Sequence, residues 1–355
     1  MLMTNENIRY CGWDIGGAHL KLAGLSENGE LQCVEQVACP LWLGLEHLEL
    51  AINQLSAQKG LAAATHGFTM TGELCDSFGD RINGVNQIVA CLASLFDPQN
   101  ILVFGLNDSW YSLGDTKGAE FGIASANWYA TASYCAKRVN QGVVIDIGST
   151  TSDLVPLANG HVVARGKDDF SRLQQLELVY TGVARTAIAS IVETLPFRNE
   201  LIPIVAEYFA NSADVYRILE CLPQNADLYD TADGRDKSIA SSAARLFRMI
   251  CRDYAGELDE AKQMAKAVSE AQLERLSLAL MHQMTEHGLS TAKTTVVGLG
   301  CGAMLTEDLA RRCGLDFVLF NELVPEVSVS EAGCVGPNVC GPAVAVAYAL
   351  AERQT

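Results

Sequence analysis

VVIDIGSTTSDLV, residues 143–155, carries an apolar run straight into Asp146-Ile147-Gly148. The hydroxyls of Ser149, Thr150 and Thr151 follow, then a second carboxylate at Asp153. Such a run reads as a buried strand that ends in a turn. Glycine just after Asp lets the backbone bend sharply and approach a ligand with no Cβ in the way. Successive N–H groups in such a turn form a concavity for anions, and the hydroxyls add donors for phosphate oxygens. The carboxylates then need a reason, since like charges repel. A Mg²⁺ supplies one, because it takes one or two carboxylates together with waters and phosphate oxygens.

YCGWDIGGAHLKLAGL, residues 10–25, repeats the arrangement. Asp14 precedes Gly16 and Gly17, and His19 and Lys21 follow, with Lys21 placed to offer a point charge to the same phosphates. The likeness extends outward from the turn. YCGWDI, HLKLAGL and LQCVEQVAC read as three strands, the last two joined at Asn28-Gly29, a hairpin signal. GVVIDIG, TSDLVPL and HVVARG read as three more, the last two joined by the turn ANGH. Asp146 lies 132 residues after Asp14. The chain therefore reads as an internal duplication of a β-β-β unit, each copy followed by helices. For one loop alone, an Asp that merely caps its turn is the simpler reading; two equivalent loops favour a ligand.

A chain of 355 residues exceeds what one core ordinarily covers. Two domains are expected: 1–140, completed by a C-terminal helix over 339–355, and 141–338. Apolar residues make up 49% of the chain, which predicts a packed interior rather than disorder. The net charge of −17 argues against nucleic acid and anionic membranes, both polyanions. MLMTNENIRY lacks a basic stretch followed by an apolar one, so no signal peptide is expected. AVAVAYALA is too short to cross a bilayer. The expectation is a cytoplasmic protein acting on small molecules, with a homodimer left open. Twelve cysteines without a C-x-x-C pair predict reduced, mostly buried thiols. Cys334 and Cys340 stand too far from other ligands for zinc.

Leu45, Leu48, Ile52 and Leu55 recur at helical spacing and predict a helix over 45–58. HGFTMT and ILVFG read as strands, NGVNQIVACLASLF and NWYATASYCAKRV as helices. The second half turns helical in SADVYRILECL, SIASSAARLFRMICRDYA and LDEAKQMAKAVSEAQLERLSLALMHQM. TTVVGLGCGAML then reads as strand, glycine turn and a helix through Arg311, an element that aims helix N–H groups at a ligand. LDFVLF is a strand, and GPAVAVAYALAE a helix with Pro near its first turn.

DIGGAHLK, DIGSTTSD and GLGCGAML, in this order and spacing, resemble the two phosphate loops and the adenosine loop of the actin, Hsp70 and sugar kinase superfamily. That resemblance implies an α/β fold of two duplicated actin/ribonuclease H-like domains around a central cleft. More closely, the chain resembles the hydantoinase A/oxoprolinase branch. TMTGELCDSF, ELVYTGVART, ADVYRIL, TADGRDKS and SSAARLFRMICRD resemble the group of tetrahydromethanopterin-linked C1-transfer pathway proteins, over nearly the whole chain. What this implies is a Mg²⁺-dependent transferase of methanofuran-type biosynthesis. It would join a furanylmethyl diphosphate to the phenol of (glutamyl-)tyramine or tyrosine and release pyrophosphate. An ATP-dependent small-molecule kinase or hydantoinase/oxoprolinase-like enzyme is the alternative, and a non-catalytic actin-like nucleotide binder the third. Two departures disfavour ATP: Ala18-His19 stands where sugar kinases commonly carry a hydroxyl, and Cys301 where they carry a glycine.

On this reading Asp14 and Asp146 hold the metal and, with Glu73, are the catalytic carboxylates. Gly16, Gly17, His19, Lys21, Gly148, Ser149, Thr150, Thr151, Gly300 and Gly302 bind phosphate. Thr71, Tyr180, Arg185 and Arg235 are the substrate-binding candidates. Thr69, Thr71 and Glu73 alternate as if along one side of a strand end. His66 reads as structural before it reads as a base, and Arg235 reads equally as a solvated loop charge.

Overall fold

A computed structural model describes residues 8–224, 226–325 and 336–354; Cys334 lies outside them. The chain opens with β1 (Tyr10–Ile15), β2 (His19–Leu25), β3 (Leu31–Ala38), α1 (Glu46–Lys59), β4 (Thr65–Met70) and α2 (Arg81–Leu95). β5 (Ile101–Gly105), β6 (Ser109–Tyr111), α3 (Glu120–Ile123) and α4 (Asn127–Ala136) follow. It restarts with β7 (Gln141–Ile147), β8 (Ser152–Ala158), β9 (His161–Val162), α5 (Asp169–Gln174), β10 (Leu178–Val179), β11 (Thr194–Phe197) and β12 (Glu200–Pro203). Helices α6 (Ser212–Ile218), α7 (Ile239–Arg248) and α8 (Leu258–Glu286) come next, then β13 (Thr295–Leu299), α9 (Thr306–Arg312), β14 (Asp316–Leu319) and α10 (Gly341–Gln354). By contacts these form two compact units. One gathers Met1–Gln141, Leu157–Gln174 and Leu319–Thr355; the other gathers Gly142–Pro156 and Gln175–Val318.

In the first unit a six-stranded sheet runs in the order β3-β2-β1-β4-β5-β6. β1, β2 and β3 form an antiparallel meander, and β4 and β5 lie parallel to β1. Helix α1 buries Leu48, Ile52 and Leu55, the face its spacing predicts. Helix α10 packs on β1, β2 and β4. It is buried nearly all round, which is why its sequence is apolar and small-residued rather than amphipathic. The approach is close enough to require glycine on the strand: a Cβ at Gly12 would lie 2.1 Å from the Ala343 carbonyl oxygen.

Trp13 stacks on Phe68 at 5.7 Å in the middle of this core, and the His66 ring lies 4.3 Å from Phe96. Trp13 Nε1 donates to His66 Nδ1 at 3.1 Å, so the imidazole must stay neutral to accept. Burial holds His66 at about 4. Its proton is therefore bound more readily by the unfolded chain, whose histidine titrates near 6.5. The stability this contributes is full above pH ~6.5 and is lost as pH falls toward ~4. His66→Gln keeps an acceptor for Trp13 without the titration. Between pH 6.5 and 5 the wild type is expected to lose about 1.5 kcal/mol more than the variant, read from urea unfolding. Contributions from other groups are common to both proteins.

In the second unit the strand order is β10-β8-β7-β13-β14, with β13 parallel to β7. The β8–β9 turn carries Asn159 and Gly160 at φ 53 and 76, the left-handed pair that such a tight hairpin needs. Three expectations shorten here. HVVARG forms only the two residues of β9, and Gly166 at its end packs so closely on α5 that a Cβ there would lie 2.5 Å from Arg172 Cγ. Helices α6 and α7 stop before the ends their apolar patterns suggested. Glu220 and Cys251 adopt φ 60 and 54, and Cys221 and Arg252 N–H groups fold back onto Tyr216 and Phe247 carbonyls. α8 fills its predicted length, and α6, α7 and α8 share one core with Leu195 and Phe197.

Candidate active site

Asp14 is the penultimate residue of β1, so it stands at the carboxyl end of the parallel strands, where open α/β sheets place ligands. Its strand neighbours are Lys21 on β2 and Thr69 on β4. Lys21 Nζ reaches Asp14 Oδ2 at 3.4 Å, while Oδ1 accepts no hydrogen bond among the described residues. Burial pushes the Asp14 carboxyl up, and Lys21 opposes the shift. The Thr69 hydroxyl and His19 Nε2 are likewise buried without a partner among the described residues. Buried polar atoms are nearly always hydrogen-bonded, so several orphans around one turn mark a place built for something polar. Gly16 closes this turn by donating to the His19 carbonyl at 3.0 Å, and Thr71 N–H donates to the Ile15 carbonyl at 2.9 Å.

Glu73 sits on the short turn after β4 and is 1% exposed. Ser125 Oγ donates to its Oε1 at 2.8 Å, and Oε2 has no partner among the described residues. Burial pushes its carboxyl up, against the hydrogen bond from Ser125. The expected strand-like alternation of Thr69, Thr71 and Glu73 does not hold, since β4 ends at Met70 and the chain turns. Ser125 had no signal in the sequence. Its backbone stands at φ 51, a conformation that costs a non-glycine residue energy and that collects at functional places. His19 is held down at about 4 by burial, so it brings a neutral ring, not a cation, to this turn. His66 belongs to the Trp13 cluster and is structural.

In the second unit Asp146 is the penultimate residue of β7, paired in register with Leu299 at the end of β13. The two strand ends hold the two remaining glycine turns side by side. Gly302 N–H donates to the Ile147 carbonyl at 2.8 Å. Gly300 has φ +86, and a Cβ there would lie 2.3 Å from Asp146 Oδ1, so only glycine fits beside the carboxylate. Gly148 N–H closes its own turn on the Thr151 carbonyl at 2.8 Å. The Ser149 and Thr150 hydroxyls lie 3.5 Å apart.

YTGVART clamps this turn from behind. Val183 N–H donates to the Gly148 carbonyl at 3.0 Å, and the Ala184 and Arg185 N–H groups to the Ser149 carbonyl at 3.0 and 2.8 Å. A Cβ at Gly182 would meet the Ser149–Thr150 peptide at 2.5 Å. Gln272 Nε2, from α8, fixes the clamp through Thr181 Oγ1 and the Gly182 carbonyl. Tyr180 is exposed, and the Arg185 guanidinium lies 4.5 Å over the Tyr229 ring. TADGRDKS wraps a different residue: Asp233 accepts from the fully buried Arg245 at 3.0 Å, and the Asp236 carbonyl from the same side chain at 3.3 Å. The Arg235 side chain points outward, 3.8 Å from Asp233.

Among the described residues no three His, Cys, Asp or Glu side chains gather as a metal cage, and no helix is long and apolar enough to cross a membrane. None of the described cysteines forms a disulfide. Residues 64–335 match the hydantoinase/oxoprolinase family. The chain belongs to that family. It is 30% identical over 247 residues to the (4-{4-(2-(gamma-L-glutamylamino)ethyl)phenoxymethyl}furan-2-yl)methanamine synthase of Methanocaldococcus jannaschii, covering 69% of this chain and 72% of that one. The enzyme of the same name from Methanococcus vannielii is 28% identical over 123 residues, 34% of this chain and 55% of that one. Among solved structures, nucleotide-free acetone carboxylase superposes with a TM-score of 0.60 at 12% identity, over 96% of this chain and 70% of that one. The two-sheet α/β fold is thus shared with that protein.

Proposed function

We propose that this protein is a cytoplasmic transferase of methanofuran-type cofactor biosynthesis, in the tetrahydromethanopterin-linked C1 pathway. It joins a furanylmethyl diphosphate to the phenol oxygen of (glutamyl-)tyramine or tyrosine. The carbon–oxygen bond to the diphosphate breaks with its electrons going to pyrophosphate. The phenol loses its proton, and the aryl ether forms. The observation that carries this reading is the match to the synthase of Methanocaldococcus jannaschii, whose name specifies a product with that phenoxymethyl-furan ether.

The site residues fit these tasks. Turns Gly148–Thr151 and Gly300–Gly302 offer hydroxyls, and backbone N–H groups other than those of Gly148 and Gly302 that close the turns, to the leaving diphosphate, a preorganised form of charge stabilisation. Asp14, with one carboxylate oxygen unspent among the described residues, and Asp146 are each a carboxylate that would hold a Mg²⁺. When bound, that ion supplies positive charge for the departing pyrophosphate. Glu73 takes the phenol proton, since a carboxylate with a raised pKa is the stronger base. The test is to incubate the protein and Mg²⁺ with furanylmethyl diphosphate and each phenolic amine, and to follow pyrophosphate and ether. Both products are expected in equal amounts. ATP hydrolysis without ether formation overturns the reading.

A further inference from the structure

A cavity of about 340 Å³ opens in the first unit where β5 ends. Its wall includes Tyr111 and Phe121, a residue 70% exposed. Three charges border it: Arg81 from the start of α2, and Lys167 and Asp168 from the segment before α5. None of these charges was singled out by the sequence. Arg81 Nη2 is anchored by Asp169 at 2.8 Å, which fixes the guanidinium at the rim. The Lys167 ammonium has no ion-pair or hydrogen-bond partner among the described residues. Asp168 accepts from the Ser171 N–H at 2.7 Å and from its hydroxyl at 2.6 Å, which holds its carboxyl below the usual range and keeps it an anion.

The cavity lies at the same sheet edge as Asp14. β1, β4 and β5 are parallel neighbours, so their carboxyl ends line up in the order Asp14, Thr69 and the turn carrying Glu73, then the cavity. Strands in a sheet are about 4.8 Å apart, so the cavity is displaced from Asp14 by roughly 10 Å. Glu73 is bonded to Ser125, next in sequence to Ala124 of the cavity wall. An aromatic slot with two cations and one anion at its mouth matches a phenol that carries an α-amino acid head group. The rings take the phenyl, the cations its carboxylate, and Asp168 its ammonium.

We propose that this cavity is the acceptor subsite, and that Arg81, Lys167 and Asp168 select a phenol bearing a zwitterionic amino acid group over a plain phenolic amine. This rests on the transferase reading above. Two acceptors carry that chemistry, γ-glutamyltyramine and tyrosine; tyramine lacks the carboxylate. Lys167→Met and the charge reversal Lys167→Glu change an exposed side chain with no partner among the described residues, so both are expected to fold.

With furanylmethyl diphosphate and Mg²⁺, Lys167→Met is expected to raise KM for the zwitterionic acceptor about tenfold or more, and Lys167→Glu further. KM for tyramine should stay within about twofold, with kcat little changed throughout. Whichever of γ-glutamyltyramine and tyrosine shows this dependence is the acceptor. Equal effects on tyramine, or none on any acceptor, overturn the proposal. Calorimetric titration of the three compounds into the protein without donor separates the two readings. If the wild type makes no ether yet binds the zwitterionic phenol in a Lys167-dependent way, the transferase reading fails and the subsite stands. If ether forms but no Lys167-dependent binding is seen, the subsite fails alone.

Discussion

Asp14→Asn is expected to lower the rate of ether formation by about 10²–10³-fold, the usual cost of removing one preorganised electrostatic group. The protein should still fold. Asn keeps the shape of a buried side chain and removes a charge that burial disfavours. Lys21, left facing an amide, is partly exposed and can turn to water. Asp146→Asn is expected to act alike in the second unit, where Gly300 leaves space for the carboxylate and for little else. Circular dichroism and urea unfolding check the fold, and pyrophosphate release checks the rate. Wild-type turnover in either variant would remove that carboxylate from the mechanism.

Arg245→Met is expected to destabilise the second unit by about 3–5 kcal/mol, because breaking a buried ion pair strands its partner. Arg245 is fully buried, and its Nε and Nη2 donate to Asp214 Oδ1 at 2.9 and 2.7 Å. Asp214 is also the residue whose side chain caps the start of α6 with Asn211. Losing Arg245 leaves that carboxylate with Arg217 at 3.3 Å and unclasps the Asp233–Asp236 turn. Adding Asp214→Asn should restore part of the loss, since the stranded charge is then gone. Urea unfolding of the single and double variants measures both. A loss under about 1 kcal/mol for Arg245→Met would show the network is not worth what buried pairs usually are.

The same turn shows how a specific motif misleads. TADGRDKS drew notice to Arg235 because its charge is conspicuous in sequence, yet the clasped cation is Arg245, ten residues on inside a helical pattern. YTGVART drew notice to Tyr180 and Arg185, whereas the backbone of Val183, Ala184 and Arg185 does the clamping. Backbone hydrogen bonds leave little trace in residue type, so such a role is hard to read from letters alone.

The sequence by itself determined the duplicated β-β-β plan, the Asp at each strand end, the glycine turns, and the long helix from Leu258. Each rests on local physics: apolar period, turn chemistry, and glycine where no Cβ fits. Only tertiary structure decided which polar atoms are left without partners. The burial of Asp14 and Glu73, the Ser125 hydrogen bond, the neutral state of His19 and the meeting of Arg81 with Lys167 and Asp168 depend on residues far apart in the chain. Burial and charge pairing are set by what packs alongside, and a single sequence does not name those neighbours.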